Sequence, residues 1–305
     1  IEFKFMNKKK PVIIEILGGI GNQMFQFALA KILAEKNDSE LFIDTNFYKE
    51  TSQNLKNFPR YFSVGIFDLQ FKLATEKEKI FFKQPSLKNR LNRKLGLNYP
   101  KVFKEKSFYF DPELLTMKAP IFLKGYFQSY KYFAGTESKI RQLYEFPDEK
   151  LDSRNEEIKN RIITKTSVSV HIRRGDYVEN RKTQDFHGNC SVEYYKKAVE
   201  YLSATIKDFN LVFFSDDIAW VQNQFKDLPY EKKFVTGNLY ENSWKDMYLM
   251  SLCDHNIIAN SSFSWWAAWL NKNPEKKVVA PKKWFAEMDQ EQKSLDLLPP
   301  DWVRI

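Results

Sequence analysis

The chain reads as an α/β protein made of two Rossmann-like domains that face one another across a cleft. Three observations predict this. Short apolar strands alternate with helical segments in both halves, a glycine-rich turn follows the first strand, and an Arg-Arg turn follows a strand near the middle. At 305 residues the chain can build two cores, and the cleft between two domains is the default place for a ligand.

Residues 12–17 form the first expected strand, 18–23 a glycine-rich turn, and 24–36 an amphipathic helix. A second strand over 41–43 ends at Asp44, which completes a βαβ opening. A further strand over 121–123 leads into Gly125-Tyr126-Phe127-Gln128. The charged connection 148–160 reads as helical and carries the domain boundary, giving domains 1–160 and 161–305. Beyond it the alternation resumes: strand 167–172, helix 192–205, strand 211–214, a helix after Asp217, helix 241–252, strand 256–259, helix 263–270 and strand 277–280. This pattern implies parallel sheets covered on both faces. Region 46–120 carries no readable motif.

Hydrophobic residues at 43% and aromatics at 16% exclude a disordered chain. The formal charge of +9 suits a polyanionic partner, whether nucleotide, nucleic acid or membrane surface. Lys83, Lys88, Arg90, Arg93, Lys94, Lys101, Lys104 and Lys106 cluster in a stretch whose only acid is Glu105. That stretch reads as a membrane-facing or acceptor-facing patch, or as a solvated helix face. Cys190 and Cys253 are too few and too far apart for a disulfide framework or a thiolate metal site. No apolar run reaches the eighteen or so residues of a spanning helix, and the five residues before Met6 read as a vector remnant. A soluble cytoplasmic protein is expected.

The stretch Val170-His171-Ile172-Arg173-Arg174-Gly175-Asp176-Tyr177 places two guanidinium groups behind a buried strand. In open α/β sheets ligands sit beyond the carboxyl ends of strands, and a planar guanidinium there grips phosphate through paired hydrogen bonds. Gly18-Gly19-Ile20-Gly21-Asn22-Gln23 lies where a strand meets a helix, so its amides and the helix dipole can favour an anion. Asn22 and Gln23 at the helix mouth tilt that turn toward a site. Phe213-Phe214-Ser215-Asp216-Asp217 ends another strand; Asp217 reads as a helix cap and Asp216 as a donor contact, rather than a metal pair. Asn260-Ser261-Ser262-Phe263 opens an aromatic helix and forms a second anion cradle or a plain N-cap, while Trp265 and Trp266 read as core. His187 precedes Gly188 and is either a base or a turn residue; His255 reads as structural.

Two rivals follow from the same residues. A dinucleotide fingerprint counted from Gly19 and Gly21 has Met24 where its third glycine belongs, yet Asp44 could hold a ribose, so an NAD(P)-dependent oxidoreductase is the alternative. Nucleic-acid binding through the basic stretch is the other.

Taken together, Gly-Gly-Ile-Gly-Asn-Gln-Met-Phe-Gln near the start, His171-Ile-Arg-Arg-Gly-Asp-Tyr, His187-Gly188 with Tyr194-Tyr195, and Ala259-Asn-Ser-Ser-Phe-Ser-Trp-Trp-Ala-Ala-Trp resemble the bacterial α-1,2-fucosyltransferases. The His-x-Arg-Arg signature is similar to that of the α-1,6- and protein O-fucosyltransferases. The resemblance implies a GT-B glycosyltransferase that moves fucose from GDP-β-L-fucose to the 2-hydroxyl of a terminal β-galactoside, with inversion and with no metal or other cofactor. It implies that Arg173 grips the diphosphate and that His171 and Asp246 meet the guanine. Ser261, Ser262 and the Phe263 amide would cradle phosphate, with Gly19, Gly21 and Asn22 closing from the other domain. The resemblance points to no one carboxylate as general base; Asp176 is the first choice because it lies beside the phosphate grip, where it either acts as the base or orients Arg173 or Arg174, and His187 is the second. Its implied partners are GDP-fucose and a galactoside glycan acceptor, with peripheral contact to a membrane-borne glycolipid acceptor and no nucleic acid.

Overall fold

A computed structural model describes residues 9–51, 61–83, 87–95, 97–174, 188–286, 291–292 and 294–305. The chain divides into two compact units, Ile1–Leu143 and Tyr144–Ile305.

The first unit runs β1 (Pro11–Glu15), α1 (Ile20–Lys36), β2 (Glu40–Asp44), α2 (Asn46–Thr51), β3 (Lys72–Leu73), α3 (Glu76–Lys83), α4 (Leu87–Lys94), β4 (Lys101–Lys104), β5 (Ile121–Lys124) and α5 (Glu137–Leu143). Its strands lie in the order β3-β2-β1-β5-β4, every pair parallel. Val12, Ile13 and Ile14 are wholly buried, as a strand covered on both faces requires. The first helix starts at Ile20, four residues before the expected start, with Gly19 as its cap. It is also not amphipathic: Phe25, Phe27 and Leu29 are buried together with Gln23 and Gln26. A helix apolar on nearly every side belongs inside a core, and its two glutamines must find internal partners.

The second unit runs α6 (Ser153–Ile162), β6 (Ser167–Ile172), α7 (Val192–Ser203), β7 (Asn210–Ser215), α8 (Ile218–Phe225), β8 (Lys232–Val235), α9 (Trp244–Leu252), β9 (His255–Ile257), α10 (Ser262–Leu270), β10 (Val278–Ala280) and β11 (Val303–Arg304). The order is β11-β10-β9-β6-β7-β8, again parallel throughout. Val168, Val170, Leu211, Phe213 and Ile257 meet Tyr195, Ala198 and Leu202 of α7 in its core. Trp265 and Trp266 are fully buried, as their helical spacing predicts. The division of the chain falls at 143/144 and not at 160. The reason is α6, whose Asn155 exchanges side-chain hydrogen bonds of 3.0 and 2.7 Å with Asn238 of the second unit.

From β1 the chain builds outward to β2 and β3, then crosses to β4 at the far edge and comes back to β5 beside β1; from β6 it builds to β7 and β8, then crosses to β9 on the other flank and continues outward to β10 and β11. The crevices at the carboxyl ends of β1/β5 and β6/β9 are therefore topological switch points, where parallel sheets bind ligands.

Candidate active site

At the second switch point, β6 delivers His171 and, just beyond its end, Arg173 and Arg174. His171 is 6% exposed, its ring lies 5.5 Å from that of Phe263, and its Nδ1 has no hydrogen-bond partner among the described residues. Burial, with the Arg173 charge adding to it, pushes the imidazole down to about 3, so the ring is neutral at physiological pH. A buried nitrogen without a partner costs free energy and calls for an explanation such as a ligand.

The two arginines have different surroundings. Arg173 Nε faces Asp216 Oδ2 at 3.4 Å, while Asp216 Oδ1 accepts the Arg174 backbone N–H at 2.8 Å. Asp216, expected as a donor contact, thus orients the basic turn. Arg174 pairs through Nε with Asp217 Oδ2 at 3.2 Å and stacks its guanidinium 3.8 Å over the Trp220 ring. Asp217 also caps α8 by accepting the Trp220 amide at 3.2 Å, as expected.

Across the crevice, the chain leaves β9 into Asn260-Ser261-Ser262 and enters α10. Ser261 Oγ accepts the Phe263 amide at 3.3 Å, so the capping role is realised and that amide already has one acceptor. Asn260, 4% exposed, donates to the Gly188 and Trp284 carbonyls, both at 3.1 Å, and so ties the strand end to two loops.

Asp246 lies in the first turn of α9, where the helix N-terminus favours a carboxylate. Burial outweighs this and pushes the acid up to about 7. Asn238 Nδ2 donates to its Oδ1 at 2.7 Å, and Asn238 is in turn locked to Asn155. Nothing in the local sequence pattern announced Asn155 or Asn238, because the two lie far apart in the chain.

At the first switch point Gly18 sits at φ +80°, and a Cβ there would come within 2.5 Å of the Asn22 amide nitrogen. Gly19 caps α1 through its carbonyl, which accepts the Asn22 and Gln23 amides at 3.0 and 3.1 Å, and Gly21 is buried in the first turn of that helix. The Asn22 side-chain oxygen accepts from Gln128 at 2.7 Å. Gln23, expected to face a ligand, is instead internal: it donates to Gly18 O and Tyr61 O and accepts from the Ser63 and Val64 amides at 2.8 and 2.9 Å. Gln26 bridges the Leu17 amide and the Gly125 carbonyl. Glu105 accepts the Tyr126 and Phe127 amides at 2.6 and 2.9 Å and is pushed up to about 7 by burial.

Asp44, the ribose ligand of the oxidoreductase alternative, is 5% exposed and already engaged by Lys79 at 3.3 Å and the Asn46 amide at 3.2 Å. Asp176 and His187 lie outside the described residues. His255 is structural, its Nδ1 accepting the Lys277 amide at 3.0 Å. Burial raises the Cys190 and Cys253 thiols to about 11 and about 12, which rules out either as a ready nucleophile. Among the described residues no group of three or more His, Cys, Asp or Glu side chains could hold a metal ion, and no helix is long and apolar enough to cross a membrane.

The O-antigen biosynthesis glycosyltransferase WbnK of Escherichia coli is 33% identical, over 94% of this chain and 98% of that protein. The α-1,2-colitosyltransferase of Escherichia coli is 34% identical, over 96% of this chain and 98% of that protein. A galactoside 2-α-L-fucosyltransferase of Caenorhabditis elegans is 30% identical over 59% of this chain and 51% of its own length. Among solved structures, the fucosyltransferase NodZ from Bradyrhizobium shares the fold at TM-score 0.50 and 15% identity, covering 85% of this chain and 93% of its own. An Arabidopsis thaliana FUT1 mutant in complex with GDP does so at TM-score 0.51 and 10% identity, covering 97% and 76%. These relatives displace the oxidoreductase alternative. Since the model of glycosyl transferase family 11 matches residues 4–305, the chain belongs to that family and is a glycosyltransferase.

Proposed function

We propose that the chain transfers L-fucose from GDP-β-L-fucose, with inversion, to the 2-hydroxyl of a terminal β-galactoside. In this reading the two α/β units are the halves of a GT-B enzyme, the second taking the donor and the first the acceptor. The observation that carries it is the placing together, at the β6/β9 switch point, of Arg173 and a buried imidazole whose Nδ1 has no partner among the described residues. A nucleoside diphosphate suits both groups, with phosphate oxygens that a guanidinium can grip and a polar base edge for the ring.

The acceptor O2 forms a bond to the fucosyl anomeric carbon as the bond from that carbon to the β-phosphate oxygen breaks, through a transition state with oxocarbenium character. Negative charge gathers on the departing phosphate. Arg173, its Nε edge aligned by Asp216, and the helix-mouth residues Ser261, Ser262 and Phe263 stabilise that charge without a metal. Asp246 accepts hydrogen bonds from the guanine ring N–H and its exocyclic amine. The acceptor proton passes to Asp176, with His187 as the second choice.

The 34% identity to a colitosyltransferase favours a second reading, in which the sugar differs and the linkage position stays. Incubation with GDP-fucose and a β-galactoside, in chelator, with the product linkage read by NMR, tests the proposal. An α-1,2-fucosyl product supports it. Donor binding without fucosyl transfer points to another sugar, and a product linked elsewhere overturns the acceptor assignment.

A further inference from the structure

The helix α4 and the turn after it are built inside out. Leu87, Leu91 and Leu95 recur every four residues, so they share one side of the helix, which Leu95 extends by donating its amide to the Leu91 carbonyl at 3.0 Å. A helix on a globular domain turns such a stripe toward the core. Here Leu87 is 84% exposed, Leu91 56% and Leu95 62%, and the patch continues into Leu97 at 54%. The half-buried positions are polar instead, Asn89 and Asn92. Asn92 and the chain after it tie this segment down, since the Asn92 carbonyl accepts the Leu97 amide at 2.8 Å and Asn98 donates to the Ala119 carbonyl at 2.6 Å.

Cations flank the leucines. Arg90 and Lys94 are exposed, and among the described residues no acid pairs with either. Lys104 and Lys106 follow, also exposed. Single exposed leucines are ordinary, but four in one short segment, rimmed by one sign of charge, mark an interaction surface.

We propose that this face docks the enzyme on an anionic lipid bilayer, the leucines entering the headgroup boundary while Arg90 and Lys94 meet lipid phosphates. Charge selects this occupant. A second copy of the chain, packed through the same face about a two-fold axis, would bring Arg90 and Lys94 against their own equivalents. The arrangement would hold the glycosyltransferase at the surface where a lipid-linked glycan is presented, and it stands whichever sugar nucleotide the enzyme uses.

The test is co-sedimentation of the full chain with phosphatidylcholine vesicles, with and without phosphatidylglycerol. The parent is expected to bind only the anionic vesicles, and less as salt is raised. The triple variant Leu87→Gln, Leu91→Gln, Leu95→Gln is expected to bind at least tenfold more weakly with an unchanged melting temperature, because these side chains contribute nothing to the core. The double variant Arg90→Gln, Lys94→Gln keeps the leucines and is expected to weaken binding and flatten its salt dependence. A parent that ignores anionic vesicles overturns the proposal. So does a triple variant that binds like its parent, or a parent dimer in analytical ultracentrifugation that the triple variant dissociates.

Discussion

At the mouth of β1 and β5, Asn22, Gln23, Gln26 and Gln128 direct their side-chain hydrogen bonds to groups of their own unit. At the mouth of β6 and β9, an imidazole nitrogen is buried with no partner among the described residues, near a guanidinium that Asp216 aligns. Both crevices lie in a parallel sheet, between its first strand and the strand that joins it on the other flank. The difference teaches that a switch point provides only the place. Whether it receives a ligand depends on whether its polar groups are already satisfied from within.

The sharpest way to break this comparison is to remove charge from the second crevice. Arg173→Ala is expected to lower the turnover of fucosyl donor by at least about a hundredfold, or ~3 kcal/mol of transition-state stabilisation, by analogy with the loss of one oxyanion donor. Initial rates measure it; a variant as fast as its parent would remove Arg173 from the mechanism. In the first crevice the matching change strikes stability instead. Gln23→Ala strands the Ser63 and Val64 amides inside the unit and is expected to cost about 2–3 kcal/mol, read by denaturant unfolding, with donor affinity of the folded fraction unchanged.

Asp246 sharpens the comparison through pH. If its carboxylate receives guanine, GDP affinity is expected to fall as pH drops through about 7, and Asp246→Asn to bind about 2 kcal/mol more weakly with a flat profile, both measured by calorimetry. The stability of the fold moves the opposite way. An acid raised in the folded state keeps a proton that the unfolded chain releases, so its contribution is full below the ordinary carboxylate range and is lost as pH rises through about 7. Arg174 should matter least. Its guanidinium is held by Asp217 and Trp220, and Arg174→Gln is expected to lower stability by about 1 kcal/mol or less and leave donor turnover within severalfold of the parent, checked by thermal melting and initial rates.

Much of the fold was readable. The expected strand over 167–172 is β6 itself, and the strand-turn-helix opening is present, although α1 begins four residues sooner. The short strands β3 and β4 and the helices α2 and α3 are not legible because region 46–120 carries no readable motif; α4 lies in the basic stretch, for which a helix face is one of the readings, and its leucine period is turned outward. At the candidate site, Arg173, His171 and Asp217 stand where their motifs put them. Gln23 was misread because a polar residue at a helix mouth looks the same in sequence whether it faces solvent or is buried in its own core.

From the sequence alone came the alternation of elements, the basic turn behind β6 and the cap before α10. These are local, set by side-chain periods of 2.0 and 3.6 residues and by turn chemistry within a few positions. Tertiary structure decided which polar groups are already engaged. Gln23 meets Ser63 across 40 residues, Asn155 meets Asn238 across 83 and Gln26 meets Gly125 across 99. Such partners are chosen when distant segments desolvate together, since a buried polar group must take the acceptor or donor that packing brings to it, and no local pattern encodes that choice.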